Sequence, residues 1–151
     1  MTTSNVTIKD KQVKKLLSDM IKAKGKISQR SKDYVTLIGA RVIADIIDHF
    51  ENEQGPNGRW APWSEAYRLQ MAKKGKAGNK ILQDTGRLKG GWMPARYRKS
   101  KQGVLWFNPV KYAGAHDQGT NRLPKRQFTW LSSKAMSNIS EDTVKFMLMK
   151  R

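Results

Sequence analysis

The chain has 151 residues, enough for one domain, but only 38% of them are hydrophobic, so its core is lean or is completed by neighbouring chains. It has no cysteine, which excludes disulfides, thiol catalysis and Cys-ligated zinc. No apolar run approaches the roughly 18 residues of a membrane span, and MTTSNVTIKD reads as carrying no signal-peptide h-region, so no membrane partner is expected.

The net charge of +18 is unevenly spread. Residues 1–54 carry ten Lys/Arg against seven Asp/Glu, residues 55–131 sixteen against three, and residues 132–151 four against two. The middle of the chain is therefore the basic part. Such an excess favours polyanions and salt-dependent phosphate contacts, although a solvated surface or an acidic protein partner would use it equally well.

Taken in order, residues 6–23 place Val13, Leu16, Leu17, Met20 and Ile21 on one narrow stripe, with Asp10 in the first turn, and the helix this predicts stops at Lys24-Gly25-Lys26. A longer helix is expected from about 31 to 53, with Tyr34, Leu37, Ile38, Val42, Ile43, Ile46, Ile47 and Phe50 covering a broader face that suits a central core helix. On its later turns Asp45 and His49 are four residues apart. Two ligands without further partners make a weak metal site, so they read as a solvated polar face.

Gly55-Pro56-Asn57-Gly58 breaks the helix, and the tryptophans of Arg59-Trp60-Ala61-Pro62-Trp63 are expected to fold back onto it. Ser64 looks like the N-cap of a short helix over 65–72. Lys73 to Gly78 is a basic loop that lacks the Gly-x-x-x-x-Gly-Lys-Ser/Thr spacing of a phosphate loop. Asp84, beside Thr85 and Gly86, reads as a turn-closing carboxylate.

Two strand-like runs follow, 92–98 with Pro94 marking an edge strand and 104–108, with a hairpin loop between them. Arg96 and Arg98 would share one face, with Lys99 and Lys101 at the tip, the densest basic patch in the sequence. Residues 112–131, YAGAHDQGTNRLPKRQFTWL, lack helical or alternating apolar spacing and read as a long loop pinned by aromatics at both ends. Residues 132–136 read as a turn, and Ser140-Glu141-Asp142 as the start of a last helix presenting Val144, Met147 and Leu148.

The basic half offers His116, Asp117 and Asp84 as its proton-exchanging groups, with no carboxylate between the last two and no Gly-x-Ser-x-Gly. His116-Asp117, close to Gly114 and Gly119, is expected to make local hydrogen bonds. No catalytic residue, cofactor site or metal site is assigned. The expectation is a non-enzymatic protein.

Three ordered clusters carry a resemblance. They are Phe50-Glu51 through Gly58-Arg59-Trp60-Ala61-Pro62; Ile81-Leu82-x-x-Thr85-Gly86-x-Leu88; and Tyr112-Ala113-x-x-His116-x-x-Gly119 followed by Pro124-x-Arg126-x-Phe128. Their order and spacing resemble the bacteriophage virion-morphogenesis (tail completion, Mu G-like) family, over about four-fifths of the chain. The lysine-rich, acid-poor middle departs from that pattern.

The resemblance implies a structural protein of the virion tail or neck, assembled in the host cytoplasm, that acts in tail completion or head–tail joining. It implies a homo-oligomeric ring, a hexamer being one arrangement that closes it, with other tail or connector proteins as partners and DNA passing through the lumen. Trp60, Thr85, Gly86, Tyr112, His116, Gly119, Pro124 and Phe128 become fold and interface residues. Arg96, Arg98, Lys99, Lys101, Arg122, Lys125 and Arg126 are the DNA- or partner-facing candidates, and a sequence-independent nucleic-acid-binding protein using them is the alternative. The expected architecture is one α+β domain. It comprises a peripheral N-terminal helix within 1–28, a motif-bearing region over 29–151 with a small antiparallel sheet around a 92–108 hairpin, and a C-terminal helix.

Overall fold

The computed structural model describes residues 5–6, 29–100 and 103–148. Their architecture is α+β, organised around helix α1 (Gln29–Asn52). Tyr34, Val35, Ile38, Val42, Ile43, Ile46 and Phe50 recur every three or four residues and are all buried, whereas Lys32, Thr36, Ala40, Arg41 and Ala44 face solvent. This 3.6-residue period is what makes the segment helical and what seats it in the core.

After Glu53, which takes a positive φ of 50°, two-residue strands β2 (Gln54–Gly55) and β3 (Gly58–Arg59) pair antiparallel around Pro56-Asn57. Trp60 N donates to Glu53 O at 2.8 Å, and this reversal sets the Trp60 indole edge-on to Phe50 at 5.5 Å. Helix α2 (Glu65–Lys73) starts where expected, with Ser64 Oγ accepting from Tyr67 N. The four-residue helix α3 (Arg87–Gly90) is entered through Gly86 at φ 69°.

The principal sheet has the order β1 (Asn5–Val6), β5 (Gly103–Phe107), β4 (Tyr97–Ser100), all antiparallel, with Tyr97 opposite Trp106 and Ser100 opposite Gly103. The fully buried Trp106 runs beneath α1, its Nε1 donating to Pro94 O at 3.0 Å. A Cβ on Gly39 would lie 2.5 Å from that Nε1 and 2.9 Å from Pro94 O. A glycine that weakens the helix is therefore required for helix and sheet to meet.

Helix α4 (Ala113–Gln118) precedes the last helix, α5 (Ser133–Leu148). Helix α5 packs on α1 through Ala135, Ile139 and Thr143. Thr143 Oγ1 donates to Ile139 O, so the Tyr34 hydroxyl at 2.8 Å donates to Thr143; Arg41 adds an ion pair to Asp142 at 2.6 Å.

One expectation lies outside the described residues and several others are corrected by the structure. The helix expected over 6–23 lies outside the described residues, apart from Val6, which is in β1. Residues 92–96 are not strand, because the Pro94 carbonyl is held by Trp106 and Arg96 N closes a turn on Met93 O; the paired strands are Tyr97–Ser100 and Gly103–Phe107. Residues 113–118 are helix, not loop. The last helix begins at Ser133, not Ser140, because Ser132 Oγ caps it by accepting from Ala135 N. Val144, Met147 and Leu148 lie on its exposed side.

Replacing Gly39 by alanine should lower stability by about 1–3 kcal/mol, the usual cost of overpacking a filled core. Urea titration checks this. A variant as stable as the parent would contradict the close approach of α1 to Trp106.

Candidate functional site

Small residues let α4 pack closely, with Ala113 and Gly114 both buried. Gly119, at φ 77°, then turns the chain so tightly that a Cβ there would sit 2.9 Å from Lys125 N. Thr120 and Leu123 close the turn on each other's carbonyls, and Arg126 N donates to His116 O at 2.9 Å. Residues 119–129 thus fold back along α4.

The returning segment is held by Asp117, which is only 1% exposed. Its Oδ1 accepts from Phe128 N at 2.9 Å and Thr129 N at 3.0 Å, and its Oδ2 from Thr129 Oγ1 at 2.6 Å and Gln118 Nε2 at 2.5 Å. The carboxylate's acceptor sites are filled by donors of the fold, which is what a buried charge needs in order to persist. Phe128 is thereby delivered to the aromatic centre, 5.0 Å from Phe50, 6.1 Å from Trp92 and 6.5 Å from Trp60. Trp60 Nε1 also donates to Gln127 O.

Asp45 and His49 were expected on a solvated face, yet both are buried, His49 at 4% exposure, because residues 128–132 cover them. His49 stacks on Trp130 at 4.2 Å with the rings 5° apart, and its Nδ1 donates to Phe128 O at 3.1 Å. Since a carbonyl only accepts, the proton sits on Nδ1, and Nε2, 3.5 Å from Asp45 Oδ2, has no hydrogen-bond partner. Asp45 accepts from Ser132 N and Ser132 Oγ, which ties the α5 cap to α1. Burial pushes the His49 pKa down, outweighing Phe128, Asp45 and Asp48. Burial, helped by Arg126, does the same at His116, whose Nδ1 is sealed without a partner and whose ring meets Tyr112 edge-on at 5.9 Å.

A second polar knot joins α3 to β5. Buried Asn108 donates to Leu88 O and accepts from Val110 N, and a Cβ on Gly91 would lie 2.3 Å from its Oδ1. Thr85 Oγ1 accepts from Arg87 N just before it. Gly39, the Asn108–Gly91 contact and the burial of Asp45 and His49 were missed in the sequence. A glycine inside a strong apolar helix was the one available signal.

The cationic candidates divide by environment. Arg98 lies over the Phe107 ring at 4.7 Å and Lys99 over the Tyr97 ring at 5.8 Å. Arg96 Nη1 donates to Gly91 O, and Lys101 lies outside the described residues. Arg122 and Lys125 are exposed and form no ion pair among the described residues. Arg126 differs from all of them, being buried with Nε on Ala61 O at 2.9 Å and Nη2 on Pro62 O at 3.0 Å.

The few acids of the basic half are engaged: Glu65 by Arg68, Asp84 by Lys76 and Asp117 internally. Glu51, held by Lys80 and Lys89, has its pKa drawn down to about 2. No cluster of three or more metal-ligating side chains occurs among the described residues, and no described helix is long and apolar enough to cross a membrane.

Asp117→Ala strands the buried amide of Phe128 and the half-buried amide of Thr129, at about 1–3 kcal/mol for the buried one, and should cost roughly 2 kcal/mol or more in chemical denaturation. His116→Ala should likewise show as lost folding or assembly. A second expectation concerns pH. The folded pKa of His49 and of His116 lies below 6.5, so the stability tied to their neutral forms is full above 6.5 and is lost as pH falls through the folded values. Melting temperature should therefore fall between about pH 7.5 and 5.5. A flat or rising profile there would contradict the burial of these rings.

The model of the phage virion morphogenesis family matches residues 8–145. No curated protein and no solved structure matches the chain. That match spans nearly the whole sequence, including the knots built on His49, Asp117 and Asn108, and the chain belongs to the phage virion morphogenesis family.

Proposed function

We propose that the chain is a non-enzymatic structural protein of a tailed-phage virion, acting in tail completion or head–tail joining at the neck. It works as a homo-oligomeric ring, with tail or connector proteins above and below and DNA passing through the lumen. Family membership supports the virion-assembly role. The observation that carries the non-enzymatic reading is the fate of the reactive groups. Asp45, Asp117 and His49 are spent on internal bonds or sealed among packed rings, and half-buried His116 pairs with no carboxylate among the described residues, so no matched general acid and base face a substrate at these positions.

What remains on the outside suits contact. Exposed cations stand beside exposed Tyr67, Leu69, Met93 and Tyr112, and strand β4 lies at the edge of its sheet. Closed rings repeat one heterologous contact around an axis, and an edge strand with neighbouring loops can supply it. The alternative, a sequence-independent nucleic-acid-binding protein, is favoured by one feature: the hairpin cations rest on aromatic rings and not on carboxylates, leaving their charge for phosphate.

Light scattering on the purified protein and imaging of any closed assembly separate these readings, together with complementation of a phage lacking the protein. Rings, and particles made infectious by adding the protein, are the expected outcome. Full infectivity without the protein would overturn the structural role. A monomer with tight, salt-dependent duplex binding that is lost on neutralising Arg98, Lys99, Arg122 and Lys125 would favour the alternative.

A further inference from the structure

Arg126 is an anomaly: an arginine residue only 7% exposed with no carboxylate within ion-pair distance among the described residues. Buried charges are normally paired, and desolvation with no acid to offset it lowers the Arg126 pKa. Its hydrogen bonds reveal which part of the group is spent. Nε and Nη2 form the side edge of the planar fork, and they grip the consecutive carbonyls of Ala61 and Pro62. The end-on edge, Nη1 with the second N–H of Nη2, has no protein acceptor among the described residues, and Nη1 is not one of the sealed polar atoms.

The surroundings are those of a contact anchor. Exposed Ala61 and Pro62 form the rim, and exposed Tyr67 follows them in the first turn of α2. Trp63 meets Tyr67 edge-on at 5.4 Å, and Tyr112 is exposed beside His116. Arginine set among tyrosine and tryptophan is the composition of interface hot spots, where desolvation strengthens each charged contact.

We infer that the open end-on edge of Arg126 receives an Asp or Glu side chain of a neighbouring virion protein, inserted between Tyr67 and the Ala61–Pro62 rim. The inference rests on the joining role proposed above and names the chemistry of one partner. A side-chain carboxylate fits a planar two-donor edge and is slim enough to reach a recessed group, whereas a duplex backbone is too broad. A second copy of the chain is a poor donor, because most exposed carboxylates among the described residues are occupied: Glu51, Glu65, Asp84 and Glu141 all pair with its own cations.

The test is fluorescence anisotropy on the full chain at physiological salt, with a labelled glutamate-rich peptide and a labelled DNA duplex as probes. Arg126→Lys keeps the charge but loses the fork, and should weaken peptide binding about tenfold. Tyr67→Ala changes an exposed ring and is read beside it in case Arg126→Lys disturbs the fold; it should weaken peptide binding severalfold. Lys134→Ala, a cation outside the site, should do neither. Equal losses in all three variants would overturn the site. Duplex binding tighter than peptide binding and governed by Arg126 and Tyr67 would also overturn it, assigning the site to phosphate. Phage complementation on the same preparation separates the claims. Intact complementation without Arg126-dependent peptide binding removes the carboxylate site alone, and failed complementation by the parent chain removes the joining role.

Discussion

One buried carboxylate decides the geometry of the second half of the molecule. Asp117 collects donors from Gln118, Phe128 and Thr129, and an irregular segment is thereby fastened to a six-residue helix. Each residue of that segment inherits its position from this bond. Phe128 enters the aromatic centre, Trp130 stacks on His49, and Arg126 reaches back to Ala61 and Pro62. An ionised group at this depth is tolerable only because its hydrogen bonds are charge-assisted and its lone pairs are used. The same economy holds at Asp45, whose two oxygens both serve Ser132 and thereby fix the start of α5.

Spending acids inside the fold shapes the outside. Among residues 55–131 sixteen Lys/Arg face three Asp/Glu, and of those three Asp117 is buried while the other two are matched to Arg68 and Lys76. The surface of this half is therefore left cationic, with aromatic rings exposed among the charges. Such a face adds little to the stability of the isolated chain and gains value when an anionic neighbour displaces water from it. A lean core and an under-neutralised surface are two sides of one composition.

Much of this was legible in the sequence where the physics is local. The period of α1 from Tyr34 to Phe50, the Ser64 cap and the fold-back of Trp60 each depend on residues within a few positions. The failures are non-local. Helix α4 shows no apolar period because two of its buried residues, Ala113 and Gly114, are small and a third is the carboxylate Asp117, whose partners lie eleven and twelve residues on. The α5 cap was misplaced because its partner, Asp45, is 87 residues earlier. His49 and Asp45 looked solvated because the segment that covers them carries no recognisable period of its own. The hairpin began late because the Pro94 carbonyl had been claimed by an indole. At the candidate site, Arg126 was visible as a cation within Pro-x-Arg-x-Phe, but its burial and its open edge were not.

The segment 126–130 is a fixed part of the core, not a loop resting on it. Native-state hydrogen exchange at the Phe128 and Thr129 amides addresses this directly, because both donate to Asp117 and belong to no sheet. If Asp117 organises this half, the two amides open only with the global unfolding that also exposes the centre of α1, and their protection matches that of Val42 and Ile46. Exchange at the rate of an exposed loop, with α1 still protected, would contradict it.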